Sequence, residues 1–280
     1  MKRRLKLSMV VVASVVASAC ASPSARAQSA SEQRTNCSGA STIALVIASC
    51  SAVIELNDEP PENLAIALNN RGIAYGRLGD TARAISDFDQ AIRVDPNYAA
   101  AFRNRGGAFA LQGDYVRALA DLDQALRLNP RDVGAYHNRA LSYQFQGDYA
   151  RAVADFDRAL ELDSRNAETL NGRCWVRVLW GHQLDLALRD CNESLTVHPQ
   201  NANTLNSRAA VEFRLNDFRA SVADYDASFR LAPSMTGSLY GRGVAKLRLG
   251  QATEGQADIL EATSRDAGVA ARYAAFGVHP

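Results

Sequence analysis

The chain has 280 residues, 47% hydrophobic and 22% charged, with 31 basic and 30 acidic side chains, the make-up of an ordinary folded protein rather than a disordered or fibrous one. Lys2, Arg3, Arg4, Lys6 and Arg26 fall within the first 27 positions, which hold no acid, so the formal charge of +1 becomes about −4 (26 basic against 30 acidic) without that segment. That balance argues against a nucleic-acid partner.

The chain opens with Met1-Lys2-Arg3-Arg4-Leu5-Lys6, then an apolar run over residues 7–19, then small residues, Pro23 and Ala25-Arg26-Ala27. This is the charged, apolar and small-residue order of a secretory signal, and the run is too short to span a bilayer. Two endings compete. Cleavage after Ala27 fits the A-x-A rule and releases a soluble periplasmic protein. Alternatively, Ala17-Ser18-Ala19-Cys20 resembles a bacterial lipoprotein box with Ala where Leu or Val is usual, and Cys20 carries a lipid anchor. Either way four cysteines remain, Cys37, Cys50, Cys174 and Cys191, and an even number in an oxidising compartment predicts two disulfides.

Residues 28–64 read as a disordered start, up to about Asn36, and a degenerate leading helical unit. Ala44, Ala48 and Ala52 lie four apart within residues 43–56, and Asp58-Glu59-Pro60-Pro61 predicts the following loop. From residue 65 to 267 a unit of thirty-four residues recurs six times: 65–98, 99–132, 133–166, 167–201, 202–235 and 236–267. Its clearest mark is Gly79-Asp80, Gly113-Asp114, Gly147-Asp148, Asn216-Asp217 and Gly250-Gln251, with one residue inserted after Gly181 in the fourth copy. Such a period predicts stacked helix-turn-helix units. Numbering each copy from one, position eight reads Gly72, Gly106, Ala140, Cys174, Ala209 and Gly243. Positions twenty and twenty-seven are equally small, from Ala84 and Ala91 to Gly255 and Ala262. Small residues at fixed places mark where two antiparallel helices approach closely. Large ones, such as Leu68, Phe102 and Tyr136 at position four and Phe88, Leu122 and Phe156 at position twenty-four, fill the space between. Residues 268–280 read as a C-terminal cap.

This pattern resembles the tetratricopeptide repeat, whose consensus is matched in the first copy by Leu68, Gly72, Tyr75, Ala84, Phe88, Ala91 and Pro96. The resemblance implies an all-α fold, a right-handed α-α superhelix or solenoid of about six repeats with degenerate capping helices at both ends. It also implies a concave groove, lined by the first helix of each repeat, where partner proteins or extended peptides lie. Carried over by position, that groove holds Asn70, Arg103, Asn104, His137, Asn138, Gln144, Phe145, Trp175, Asn206, Phe213, Arg214 and Tyr240. Asn side chains there can pair with a peptide backbone, and Phe145, Trp175 and Phe213 offer apolar anchors. Equally, Asn70, Asn104 and Asn138 can serve only local backbone groups. The carboxylate clamp of chaperone-binding members is not matched, since Ile73, Gly107 and Leu141 stand where one clamp Asn belongs and Lys is absent from the expected sites.

Two ladders invite functional readings. Arg occupies position seven in every copy (Arg71, Arg105, Arg139, Arg173, Arg208, Arg242), and Asp occupies position twenty-three (Asp87, Asp121, Asp155, Asp190, Asp224, Asp258). Matched columns of opposite sign are read as one structural ion pair per repeat rather than an anion site. Cys174 stands at a close-contact position and Cys191 on the helix face that meets it, which predicts a disulfide within the fourth repeat, and Cys37 with Cys50 can clip the leading unit the same way. Position eleven changes from Tyr75, Phe109 and Tyr143 to Arg177, Glu212 and Lys246, a run of alternating sign that fits an inter-repeat charge network or a binding feature equally.

No catalytic set is present by pattern. His137, His182, His198 and His279 are scattered, and there is no Gly-rich phosphate loop, G-x-S-x-G or H-E-x-x-H, so the expectation is a non-enzyme without metal or cofactor. The leading functional expectation is an exported adaptor that binds another envelope protein or an extended peptide. Alternatives are an architectural or oligomerising component, and a regulator of an envelope peptidase or peptidoglycan hydrolase.

Overall fold

The structure, a computed structural model, describes residues 23–56 and 59–280, with side chains from residue 31 onward; residues 1–22 of the signal-like segment, including Cys20, lie outside the described residues. Among the described residues there are fifteen helices and no strand. A leading pair, α1 (Pro23–Gly39) and α2 (Ile43–Leu56), precedes six antiparallel pairs. These are α3 (Pro61–Arg77) with α4 (Thr81–Val94), α5 (Ala99–Leu111) with α6 (Tyr115–Leu128), and α7 (Val133–Phe145) with α8 (Tyr149–Leu162). They continue as α9 (Ala167–Trp180) with α10 (Leu184–Val197), α11 (Ala202–Arg214) with α12 (Phe218–Leu231), and α13 (Thr236–Arg248) with α14 (Ala252–Arg265), and a short α15 (Val269–Ala274) closes the array. Each helix packs on its neighbours in sequence, so the fold is a solenoid.

The recurrent Gly-Asp pair makes the reversal within each repeat. Gly79 takes φ +79°, its N–H donates to Gly76 O, and the Asp80 N–H donates to Tyr75 O at 3.0 Å, which ends α3 in a Schellman motif. Asp80 then caps α4 by accepting from the Arg83 N–H at 3.0 Å. Two residues thus close one helix and open the next. Asn216, at φ +65°, replaces the glycine in the fifth repeat, as Asn tolerates this conformation best among residues with a side chain. The inserted residue of the fourth repeat alters the turn, with Gly181 and Gln183 both at positive φ and no side-chain cap on α10.

The small positions lie where the helices touch. Ala84, Ala118, Ala152 and Ala187 are buried to within 1% of full coverage. A Cβ added at Gly72 would meet the Phe88 ring at 2.7 Å. In the fourth repeat the place of that glycine and ring is taken by Cys174 and Cys191, which form a disulfide with a Cα–Cα separation of 5.7 Å. Serines at close-contact positions are buried with their hydroxyls satisfied, Ser194 donating to Ala167 O and Ser228 to Ala202 O, each at 2.8 Å.

The start of the chain departs from the disorder expected for residues 28–36, because α1 runs through them. The polar composition there could not hold a helix by burial. What holds it is a Cys37–Cys50 disulfide to α2, an ion pair from Arg34 to Glu59, and Asn70 Nδ2 of α3 donating to Cys37 O.

The Arg ladder is more extensive than one pair per repeat. Arg105 Nε and Nη2 donate to the two oxygens of Asp121 at 2.7 Å, and Nη1 crosses to Asp89 of the preceding repeat at 2.6 Å. Arg139 repeats this with Asp155 and Asp123, Arg173 with Asp190 and Asp157, and Arg242 with Asp258 and Asp226. Arg208 pairs with Asp224 but reaches the neutral Asn192, and Arg71 pairs with Asp87 and reaches Ser51. One planar guanidinium therefore joins three helices, a task its fork of donors suits and a lysine cannot perform. Asp121 is 10% exposed and Asp89 38%, so their removal has different costs. Asp121→Ala is expected to destabilise the array by about 3 kcal/mol, because Arg105 loses its buried bidentate partner and keeps only the more exposed Asp89, and Asp89→Ala by less than about 1 kcal/mol, as read from denaturant midpoints.

Candidate functional site

The first helices α3, α5, α7, α9, α11 and α13 line the concave face. In its first half an open, largely apolar cleft of about 370 Å³ is bordered by Ile73, Ala108, Leu111, Leu141 and Phe145, with Asn104 and Asn138 on its floor. Leu111 is 85% exposed and Phe145 64%, both far above what large apolar side chains need to expose for want of space. Phe145 is propped by Tyr115, its ring parallel at 5.5 Å. A second cleft of about 320 Å³ continues from it, sharing Leu141 and bordered by His137, Gln144, Asn171 and Trp175. Gln144 Oε1 and Asn171 Oδ1 are buried there without a hydrogen-bond partner.

The sequence-derived groove residues divide into three groups. Asn138, Gln144 and Phe145 border the clefts directly. Others border or adjoin the clefts but are already engaged. Asn70 holds α1, Asn104 Nδ2 donates to Asn69 Oδ1 at 2.7 Å, and Arg103 Nη1 donates to both oxygens of Asp132, the cap of α7, at 3.1 and 2.9 Å. His137 Nδ1 lies 3.1 Å from Thr169 Oγ1, and burial holds its imidazole below the usual pKa and hence neutral. Asn70 and Asn104 therefore link helices rather than serve local backbone groups.

The third group, Asn206, Phe213, Arg214 and Tyr240 together with Trp175 at the far rim of the second cleft, corrects the expectation of a groove open along its whole length, because the chain itself packs on it. Residues beyond α14 fold back along the concave face. Phe276 packs edge-on to Trp175 at 5.0 Å, and its carbonyl accepts from Arg214 Nη1 at 2.6 Å. Tyr273 donates its hydroxyl to Asn206 Oδ1 at 2.8 Å and packs edge-on to Tyr240 at 5.5 Å. Phe213 is buried against Phe218. Sequence reasoning identified a cap at 268–280 but missed its reach, for which Tyr273-x-x-Phe276-Gly277 was the available signal. It also missed Leu111, which shares position thirteen with Phe145.

The tetratricopeptide repeat family matches residues 69–133 and again 105–171. Residues 69–171 of this chain are tetratricopeptide repeats of that family. No curated protein sequence matches the tetratricopeptide repeat protein described here. Among solved structures it resembles the APC/C hetero-tetramer Cut9-Hcn1 (14% identity, TM-score 0.71), covering 89% of this chain but only about half, 51%, of that one. It also resembles a tetratricopeptide repeat protein from Parabacteroides merdae (22% identity, TM-score 0.63, 89% of this chain and 99% of that one). A third neighbour is YrrB, described as having an unusual peptide-binding site (18% identity, TM-score 0.53, 69% and 97% covered). At these identities the likeness is one of fold.

Position eleven of this repeat protein resolves into contacts within repeats. Tyr75, Phe109 and Tyr143 lie under the guanidinium groups of Arg83, Arg117 and Arg151 at 4.2 to 4.4 Å. Arg177 pairs with Asp190 and Lys246 with Asp258. Glu212 finds no such partner, because Arg208 is bound by Asp224 and stays 3.8 Å away. Its Oε2 and the neighbouring Tyr225 hydroxyl are both buried without hydrogen-bond partners. Burial, then the nearby Asp224, push its carboxyl up to about 8 against the pull of Arg208, with Asp217 adding to the rise. The fold therefore keeps a proton that the unfolded chain, with its carboxyl near 4.5, gives up. Stability from this group is lost as pH rises between those values and levels off above the higher one. Glu212→Gln is expected to melt higher than the parent at pH 8–9 and to show a flatter decline from pH 5 to 8, measured by thermal scans across that range.

Proposed function

We propose that the protein is a non-enzymatic interaction scaffold of the bacterial cell envelope that binds an extended segment of a partner protein in the concave clefts of repeats one to four. The observation that carries this reading is the pair Leu111 and Phe145, large apolar side chains left in the open above the floor of an otherwise close-packed repeat array. Around them the chemistry suits a peptide. Ile73, Leu141 and Phe145 offer apolar contacts, and the side chains of Asn138 and Gln144 along the border offer polar ones. The family's use as a protein-interaction scaffold and the peptide site named for YrrB support it. The envelope assignment rests on the charged, apolar and small-residue order of residues 1–27 and on cysteines paired as Cys37–Cys50 and Cys174–Cys191.

In-cell crosslinking with mass spectrometry, comparing the parent, Phe145→Ala and an exposed control outside the clefts, Leu260→Ala, tests the groove. Phe145→Ala is expected to weaken partner capture at least about tenfold, as loss of an anchoring aromatic does, with an unchanged melting temperature and with the control unaffected. Equal capture by all three proteins would place the contact elsewhere. The intact mass of the mature protein should begin at Gln28, and a diacylated Cys20 would instead make it membrane-anchored.

A further inference from the structure

A cap on the last repeat has only to cover α13 and α14, and Val269, fully buried at the start of α15, begins that task. The chain then goes further than capping requires. Phe276 touches Trp175 on α9, and Arg214 and Asn206 on α11 bind the Phe276 carbonyl and the Tyr273 hydroxyl. These partners stand one and two repeats ahead of the end. The path depends on Gly277. It adopts φ +85°, with its N–H donating to Ala274 O and that of Val278 to Tyr273 O, both at 3.0 Å, which ends α15 in a Schellman motif and buries Val278. Glycine suits the positive φ of the turn, and a Cβ at Gly277 would lie 3.1 Å from Arg214 Cδ and Nε, close enough to push that side chain aside.

From this geometry we propose that the groove of repeats four to six is a second, self-masked binding site. Its ligand is a partner segment with the chemistry of residues 273–278: two aromatic side chains three residues apart on a helical turn, followed by a carbonyl that faces Arg214. The proposal rests on the reading of the concave face as a peptide-binding surface. Residues 268–280 contain no acid, so Arg214 is engaged by a backbone oxygen, a group every polypeptide supplies. Recognition through two aromatic rings and a carbonyl can therefore be reproduced by another chain. The mask is short, and because a helix of six residues is marginal on its own, its contacts with the groove are what hold it in place. A tethered occupant competes at high effective concentration, so the site stays closed to weak ligands and opens to segments that match it.

The test uses the full-length protein and a fluorescent synthetic peptide of residues 268–280. Gly277→Ala should release the tail and bind the peptide at least about tenfold more tightly than the parent, the gain expected when a mask of about 90% occupancy is removed. Adding Arg214→Ala should erase that gain, and adding Phe145→Ala should leave it intact. Equal binding by the parent and a folded Gly277→Ala protein would overturn the proposal, as would a gain that survives Arg214→Ala. Should Gly277→Ala not fold, hydrogen exchange on the parent decides. Faster exchange at Gly277 and Val278 than along α13 supports a releasable mask, and exchange in step with α13 refutes it. Failed peptide binding with a Phe145-dependent partner intact would remove this site and leave the scaffold reading standing. Peptide binding without a Phe145-dependent partner would do the reverse.

Discussion

Close approach of two helices at three small positions is the constraint from which the structure follows. Where Gly72 faces Phe88, or Ala118 is fully covered, no larger side chain fits, so each repeat has a fixed internal spacing. That spacing places Arg105 opposite Asp121 with both carboxylate oxygens in reach of the guanidinium fork, and leaves its third nitrogen directed at Asp89. Packing inside a repeat thereby sets the geometry of the link between repeats. The concave face inherits this regularity, since the helices that carry it cannot slide without breaking a bidentate pair on the opposite side.

The clefts arise where the repeat leaves its first helices thinly dressed. Gly76 and Gly107 present no side chain, and Leu111 and Phe145 stand along the border in place of the Arg77 found in the first copy. Rigid walls with projecting apolar groups lower the entropy lost on binding, because the protein has little left to order. Asn138 and Gln144 along the border add polar groups to a surface otherwise dominated by shape.

Much of this was legible in the sequence because it is periodic. Six copies of one pattern expose the helix pairs, the turn at Gly79-Asp80 and the Arg and Asp columns. The acidic column at Asp89, Asp123, Asp157 and Asp226 was equally periodic, yet it was overlooked because Asn192 and Leu260 interrupt it. What does not repeat was hidden. The helix across residues 28–36 is held by a disulfide and an ion pair rather than by its own composition, and the return of Phe276 to Trp175 spans a hundred residues in which no periodicity points to it. The glutamate at 212 was visible as an oddity, but its isolation depends on Asp224 having already claimed Arg208.

Asn192 has a further consequence. Between the fourth and fifth repeats the crossing nitrogen of Arg208 meets a neutral amide where its counterparts in the second, third, fourth and sixth repeats meet a carboxylate. A seam with a weaker rung is where a stacked array bends most readily. It is also the seam that the C-terminal tail straddles, with Tyr273 fixed to Asn206 on one side and Phe276 laid on Trp175 on the other. The tail thus bridges a seam that the charge ladder ties less firmly, so the segment that covers the groove also braces the stack beneath it.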